Sequence, residues 1–271
     1  GLRRGMTVEE IHEITAINNY FLYELEAMIS KEKEIAAKDW ESITKQDLKD
    51  AKAFGISDLT LAKLLHVDVA KIQQKIKAEK LAPSYKMVDT CAAEFSAETP
   101  YFYSSWNEWD EVESLDGDKR MVVLGSGPIR IGQGVEFDYC SVHAAKSLQG
   151  QGIDAVVINN NPETISTDFN TADHLYFEPL TVEDVLHVIE KENAQGVLVQ
   201  FGGQTAINLA DGLQKAGVKI AGTALEAIEA VEDRDLFYQL LQRLNIPHIP
   251  GCTVMAVEDA KAVANEIGYP I

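Results

Sequence analysis

The sequence predicts an α/β protein in which an all-α N-terminal domain precedes a doubly wound, Rossmann-like parallel sheet. Two patterns predict this class. Apolar residues in the N-terminal third recur at steps of three and four, as on one face of a helix. In the C-terminal half, short apolar runs alternate with helical segments of about 10–15 residues, as in a parallel sheet. The chain has 271 residues, of which 46% are hydrophobic, and this is enough for two such domains.

The N-terminal helices are predicted from their capping residues. Thr7 and Glu10 have the spacing of a capping box, ahead of an apolar stripe. Further helices are predicted over residues 44–53, from Ser57 onwards, and over residues 68–80. The stripe on the first helical stretch consists of Ile11, Ile14, Leu22, Leu25 and Ile29.

Residues 57–80 have the outline of a helix-turn-helix, with a break near His66 and Val67. Reading DNA bases needs Arg, Asn or Gln within a basic face, and Gln73 and Gln74 are the amides of the second segment. The net charge of −19 repels nucleic acids and acidic membranes. We therefore favour short helices packed by leucines, with no nucleic-acid partner and no membrane contact. A free-standing Rossmann-like binding module with a helix-turn-helix-like partner domain is the alternative function.

A change of composition follows the helices. Residues 96–118 combine aromatic residues, acids, Pro100 and Gly117 without a clear helical or strand period. They predict an extended connector whose aromatic side chains lie on a domain surface. Right-handed crossovers between the strands that follow place the strand-to-helix loops on one edge of the sheet, where ligands of such sheets bind. The predicted strands are Met121–Leu124, Ile153–Ile158, Leu175–Phe177 and Val197–Val199.

The loop after the first of these strands, residues 125–134, is rich in glycine, which lets the backbone approach a ligand closely. It is not a dinucleotide fingerprint, because Arg130 occupies the third glycine position. It is not a Walker A loop either, since Gln133 and Gly134 follow Gly132 in place of Lys and Ser or Thr. The glycines could also serve only a tight turn, and that interpretation stays open.

Two further loops, Asn159–Thr164 and Gly202–Thr205, bring amides and hydroxyls to the same edge, with Arg130 as their cation. Glu136 and Asp138 stand where the next helix begins, a place that suits the helix dipole but opposes an incoming anion. The three loops therefore favour a neutral or weakly held polar ligand over a triphosphate.

The sequence contains no metal or disulfide pattern. Three cysteines lie far apart, which fits a reducing cytoplasm. The longest apolar runs are strand-sized, whereas a transmembrane helix needs about 20 residues. Asp233 is predicted to cap a helix. Surface or core packing is expected for each histidine, because none has a metal-ligand spacing; they are His12, His66, His143, His174, His187 and His248.

Several motifs occur together in one order. Gly125-x-Gly127-Pro128 is followed by Ile131-Gly132-Gln133-Gly134-x-Glu136-Phe137-Asp138-Tyr139, then by Asn161-Pro162-Glu163-Thr164, Gly202-Gly203-Gln204-Thr205 and Glu232-Asp233-Arg234. In this order the motifs closely resemble the large subunit of carbamoyl phosphate synthetase. The resemblance covers essentially the whole chain, and the joint order is more specific than any one motif.

The resemblance implies four segments. Residues 1–95 correspond to a helical oligomerisation domain, which ends at Val88–Phe95, and residues 96–118 to a connector. Residues 119–245 correspond to the pre-ATP-grasp domain that opens the second, carbamate-phosphorylating half. Residues 246–271 correspond to the truncated start of the ATP-grasp domain, so the chain is expected to be a fragment of a much longer polypeptide.

The resemblance also implies a mechanism. The full-length enzyme makes carbamoyl phosphate from bicarbonate, ammonia derived from glutamine, and two ATP, and carbamate passes through an internal tunnel that excludes water. A small glutaminase subunit, self-association, and ATP, magnesium and potassium are implied for the whole enzyme, in arginine biosynthesis, pyrimidine biosynthesis or both. In this chain we expect no catalytic residue, no metal site, no cofactor, and no activity alone.

The three loops are the segments that the resemblance places against the tunnel or substrate, where small residues would leave the passage open. Because they follow parallel strands, we expect them to lie together. The candidate residues are Gly125, Gly127, Arg130, Gly132, Gln133, Gly134, Asn161, Thr164, Gly202, Gly203, Gln204 and Thr205.

Overall fold

The structure, a computed structural model, describes residues 1–107, 109–113, 115–127, 135–249, 251 and 253–269. Over these residues the chain is α/β, as predicted: a helical segment precedes a six-stranded, mostly parallel sheet with helices on its faces. The N-terminal helices α1 to α5 are Val8–Thr15, Asn19–Ala36, Lys45–Ala53, Asp58–Leu64 and Val69–Ala78.

Helix α1 begins as its capping box predicts. The hydroxyl of Thr7 accepts from the N–H of Glu10 at 3.1 Å, and the carboxylate of Glu10 accepts from the N–H of Thr7 at 2.8 Å. The predicted stripe is only partly buried: Leu22 is buried, whereas Ile14 and Leu25 are exposed over 73% and 47% of their surface. Helices α1 and α2 therefore present exposed apolar side chains.

Helices α3 to α5, together with the end of α2, pack around a shared apolar core, as the interpretation of short helices packed by leucines predicts. Gln73, one of the two amides that could read bases, lines a cleft between these helices and the sheet. The buried side chains of the core include Ile35, Leu48, Leu61, Leu65, Ile72 and Ile76.

The sheet has the strand order β1-β2-β5-β4-β3-β6. Strands β1 and β2 are antiparallel, and every other pairing is parallel. The four predicted strands are confirmed as β3 to β6. The strands β1 to β6 are Ser84–Met87, Tyr101–Ser105, Arg120–Leu124, Asp154–Asn159, His174–Phe177 and Val197–Leu198.

Two strands lie where the sequence patterns predict none. β1 falls in the segment expected to be helical, and β2 falls in the expected connector. Phe102 of β2 is buried and pairs with Tyr176 of β5, which stacks edge-on against Tyr85 of β1 at 4.9 Å. Part of the aromatic run thus belongs to the core, although Trp109 is exposed. Neither strand is a continuous apolar run, since β1 contains Ser84 and Lys86 and β2 ends in Ser104 and Ser105.

Helices cover the sheet and continue beyond it. They include α6 to α12: Val135–Gln149, Val182–Glu192, Gly203–Ile207, Ala210–Lys215, Leu225–Glu232, Arg234–Arg243 and Val257–Ile267. The predicted cap of α11 is confirmed, because the carboxylate of Asp233 accepts from the N–H of Leu236 at 2.9 Å. Among the described helices, none is both long enough and apolar enough to span a bilayer.

Candidate functional site

The loops after β3 and β4 are joined by one side chain at the carboxyl edge of the sheet. Asn159 is the last residue of β4 and is buried. Its side-chain oxygen accepts from the N–H of Gly127 at 3.0 Å and from the N–H of Asn160 at 2.9 Å. A third N–H, that of Asn161, lies 3.4 Å away. Because a short amide side chain can accept from backbone groups just beyond it, Asn suits a strand end that must turn.

The turn after β6 packs directly against the loop after β3. A methyl group built on Gly202 would lie 2.4 Å from the carbonyl oxygen of Gly125 and 2.6 Å from that of Leu124. Gly203 has a φ of +61°, and a methyl group on it would lie 3.0 Å from the ring of Phe137. Both positions therefore require glycine, one for close backbone approach and one also for its left-handed conformation.

These contacts agree with the interpretation left open above, in which the glycines serve tight turns and close packing. A methyl group on Gly125 would lie 2.6 Å from the carboxamide of Asn159, and one on Gly127 would lie 3.1 Å from Asn160. Their missing side chains are explained by the tight packing of neighbouring loops. That these loops also border a passage stays a prediction.

The described candidates lie in the three predicted loops, whereas Arg130, Gly132, Gln133 and Gly134 lie outside the described residues. The side chain of Asn161 accepts from the N–H of Glu163 at 3.1 Å, and the hydroxyl of Thr164 contacts that of Ser166 at 3.1 Å. Gln204 donates to Asn208 at 3.0 Å along α8, and both Gln204 and Thr205 are exposed. The loop from residue 161 to 167 is therefore internally fixed, while the start of α8 faces outward.

Asp138 has a role that the sequence does not reveal. Its two carboxylate oxygens accept from the N–H groups of Ile165 and Ser166 at 2.9 and 3.0 Å. It lies in the first turn of α6, as the sequence predicts, and it also caps a short 3₁₀ turn of the neighbouring loop, Ile165–Thr167. Asp138 thereby ties α6 to the loop after β4.

Glu178, directly after β5, is a buried acid that sequence reasoning missed. It accepts hydrogen bonds from the N–H and the hydroxyl of Ser104 on β2, the latter at 2.7 Å. Burial raises the pKa of Glu178 to about 7, against the opposing effect of these hydrogen bonds. The only available signal was an acid that follows an apolar strand and precedes Pro179. Glu178 links β2 to β5 at the same edge as the three loops.

His174 shows the core packing expected of it. It lies at the start of β5, is buried, and its Nδ1 lies 2.7 Å from the carboxylate of Glu192. Burial opposes ionisation of Glu192, but hydrogen bonds from His174 and Tyr176 bring its pKa below the ordinary value. This network lies inside the domain and holds α7 to the sheet.

At the carboxyl edge of the sheet, the described loops carry only acidic and neutral side chains. In the ranges 125–127, 160–164, 178–181 and 199–205 the charged residues are Glu163 and Glu178, with no Lys, Arg or His. Within the described chain, no group of three His, Cys, Asp or Glu residues is arranged to hold a metal ion. The described loops offer backbone amides and neutral side chains, which suit a small polar ligand better than a polyphosphate.

Two family models match the chain. The carbamoyl phosphate synthase preATP-grasp domain matches residues 117–230. The oligomerisation domain of the carbamoyl-phosphate synthetase large chain matches residues 1–80. The two matches thus cover most of the helical segment and most of the sheet.

Two relatives are similar along the whole chain. It is 53% identical over 271 residues to the carbamoyl phosphate synthase arginine-specific large chain of Halalkalibacterium halodurans, covering 100% of this chain and 26% of that protein. It is 51% identical over 270 residues to the arginine-specific large chain of Geobacillus stearothermophilus, with the same two coverages. The chain therefore spans about a quarter of the length of these relatives.

Among solved structures, the chain resembles the biotin carboxylase domain of the 2-oxoglutarate carboxylase of Hydrogenobacter thermophilus. The identity is 25%, and the similar region covers 56% of this chain and 33% of that chain, with a TM-score of 0.41. A similarity of this size supports neither a site nor a function.

Proposed function

Because this chain belongs to the carbamoyl phosphate synthase large-chain family, we propose that it works as part of an ATP-dependent carbon–nitrogen ligase. The whole enzyme forms carbamoyl phosphate from bicarbonate, glutamine-derived ammonia and two ATP. Two relatives are named arginine-specific, which supports arginine biosynthesis as the pathway. A small glutaminase subunit is the proposed partner that supplies ammonia.

This chain contributes structure to that enzyme, and no catalytic residue. Its helical segment promotes self-association, and the loops at the carboxyl edge form part of the wall along which carbamate travels. The observation that carries the second role is the convergence of the predicted loops, in which Asn159 binds Gly127 and Gly202 abuts Gly125. Carbamate hydrolyses in water, so a wall of closely packed loops protects it by excluding solvent.

ATP, magnesium and potassium bind elsewhere in the longer polypeptide, and the isolated chain is inactive. The glycine loop supports this division because Gln133 and Gly134 stand where a phosphate-binding loop needs Lys and a hydroxyl. Titration calorimetry of the 271-residue chain with Mg-ATP tests it. We expect no saturable binding at micromolar concentrations, and micromolar affinity would overturn the proposal that this chain has no nucleotide site.

The role in the carbamate route is tested in a chimeric enzyme. This chain replaces the matching segment of the H. halodurans large chain, to which it is 53% identical, and the chimera is assayed with its small chain. Thr205→Trp then adds bulk to an exposed position at the edge. We expect bicarbonate-dependent ATP hydrolysis to continue, while carbamoyl phosphate formation from glutamine falls by about tenfold.

The matched control is Gln214→Trp, which adds the same side chain to an exposed position on α9. It is expected to leave both rates unchanged. Equal loss of both rates in Thr205→Trp would point to misfolding, and no loss in either would remove this loop from the route.

A further inference from the structure

One buried lysine connects the helical segment to the sheet. Lys52 lies at the end of α3, and only 3% of its side chain is exposed. Its ammonium group forms ion pairs with Asp58 of α4 and with Glu183 of α7, which belongs to the sheet domain. It also lies 6.0 Å from the centre of the Trp106 ring. A buried ammonium needs such partners, because leaving it unpaired would be costly.

Glu183 makes a second bond across the same boundary. Its other carboxylate oxygen accepts from the backbone N–H of Asp58 at 2.8 Å, at the first residue of α4. One carboxylate therefore holds both the lysine and the first turn of a helix from the other domain. These residues line a cleft of about 850 Å³ between the two domains.

Leu180, three positions before Glu183, lies close to Gly127 of the glycine loop. A methyl group built on Gly127 would lie 3.2 Å from Cδ1 of Leu180. Thr181, between them, caps α7: its hydroxyl accepts from the N–H of Asp184 at 3.2 Å and donates to the carboxylate of Asp184 at 2.6 Å. The short segment from Leu180 to Glu183 is therefore held in one conformation, with one end at the glycine loop and the other at the helical domain.

We propose that Glu183 is a positioning residue: by binding Lys52 and the start of α4, it holds Leu180 against Gly127 and so fixes the first turn of the glycine loop. The inference rests on the proposed function, in which the glycine loop forms part of the wall of the carbamate route. It means that displacement of the helical domain, as on assembly of subunits, is transmitted to the loop. The segment that transmits it is four residues long.

The test follows the amide of Gly127 in the 271-residue chain by hydrogen exchange measured with NMR. This N–H is bonded to Asn159, so its exchange rate reports local opening of the loop. Glu183→Gln keeps an acceptor for Asp58 but removes the charge that pairs with Lys52. We expect Gly127 to exchange about tenfold faster, while the amides of the buried residues Ile72 and Ile76 of α5 keep their rates.

Two further variants make the outcome decisive. Asp211→Asn removes the acid of an exposed ion pair with Lys215 and should leave Gly127 unchanged. Leu180→Ala removes the proposed link, and adding Glu183→Gln to it should then produce no further change at Gly127. An undiminished effect in the double variant would overturn the inference, as would an unchanged Gly127 rate or an equal acceleration of the helical-core amides.

This experiment uses no nucleotide, bicarbonate or carbamate. Its failure would therefore leave the proposed carbamate route untouched, and failure of the Thr205→Trp test would leave the contact between Glu183 and the glycine loop untouched.

Discussion

The side-chain oxygen of Asn159 lies 3.0 Å from the backbone nitrogen of Gly127, and this hydrogen bond joins the ends of two neighbouring parallel strands. The same oxygen accepts from Asn160. The bond between Asn159 and Gly127 is buried, so water cannot replace it at no cost. This one buried amide therefore connects the loops after β3 and β4.

Asn159→Leu should therefore destabilise the chain strongly. The variant keeps the approximate volume but leaves the N–H groups of Gly127 and Asn160 without their acceptor, so we expect a loss of about 3 kcal/mol in the free energy of unfolding. Urea unfolding followed by circular dichroism measures it. Asn208→Leu is the control at an exposed position and should change stability by less than about 0.5 kcal/mol. Equal effects of the two variants would contradict the assigned role.

Gly202 and Gly217 separate the effect of crowding from that of backbone strain. Gly202 has a φ of −94°, which any residue adopts, but Ala there would meet the carbonyl oxygens of Gly125 and Leu124. Gly217 has a φ of +89° with open space around it. We expect Gly217→Ala to cost about 1 kcal/mol through strain alone, and Gly202→Ala to cost at least about 2 kcal/mol through overlap.

Urea unfolding of both variants checks this order. The reverse ranking would show that the loop after β6 can move away from β3, and it would remove the argument that these loops are tightly packed.

The parts of this fold that the sequence predicts are those with a repeated pattern or a capping residue. β3 to β6 are marked by buried apolar runs, and α1 and α11 by Thr7 and Asp233, whose side chains bond as their positions indicate. β1 and β2 escape prediction because their burial comes from partners that are distant in the sequence: Ser84 of β1 pairs with Ser105, 21 positions away, and Phe102 of β2 pairs with Tyr176, 74 positions away. The residues of a short strand do not by themselves indicate which strand they pair with.

The sequence predicts where the candidate site lies, but not which hydrogen bonds hold its loops in place. Three loops meet at one edge because parallel topology requires it, and their glycines mark close approach. The particular contacts of Asp138 with Ile165, and of Glu178 with Ser104, join residues 27 and 74 positions apart. Such contacts depend on tertiary packing, so an acid in the sequence does not reveal which backbone group it binds.

The buried acid Glu178 should make stability depend on pH. Its pKa is raised from 4.5 to about 7, mainly by burial, so the native state holds more protons than the unfolded state between these values. The free energy of unfolding should therefore fall as pH rises through this range, by on the order of 3 kcal/mol, and then level off. The side chain in Glu178→Gln carries no charge at any pH. The stability of this variant, compared with that of the unsubstituted chain, should therefore improve between about pH 5 and about pH 8.

Urea unfolding at several pH values measures the difference in slope. Glu226→Gln makes the same change at an exposed position on α10, and the comparison isolates the buried acid. Identical slopes for Glu178→Gln and the unsubstituted chain would show that this carboxyl ionises normally.

The exposed apolar side chains of α2 should drive self-association of the chain. Phe21 and Leu25 are exposed over 60% and 47% of their surface and lie one turn apart, beside a surface groove of about 480 Å³ that also includes Phe54. Burying such side chains contributes roughly 25 cal/mol for each Å² of apolar surface, so an exposed cluster of this kind favours a partner face. We expect sedimentation equilibrium of the 271-residue chain to show reversible association, and Phe21→Asp to weaken it by about tenfold or more.

Ala27→Asp adds the same charge to an exposed position on the opposite side of α2 and should leave association unchanged. A chain that stays monomeric at high concentration, or that responds equally to both substitutions, would show that this face of α2 is not the association surface.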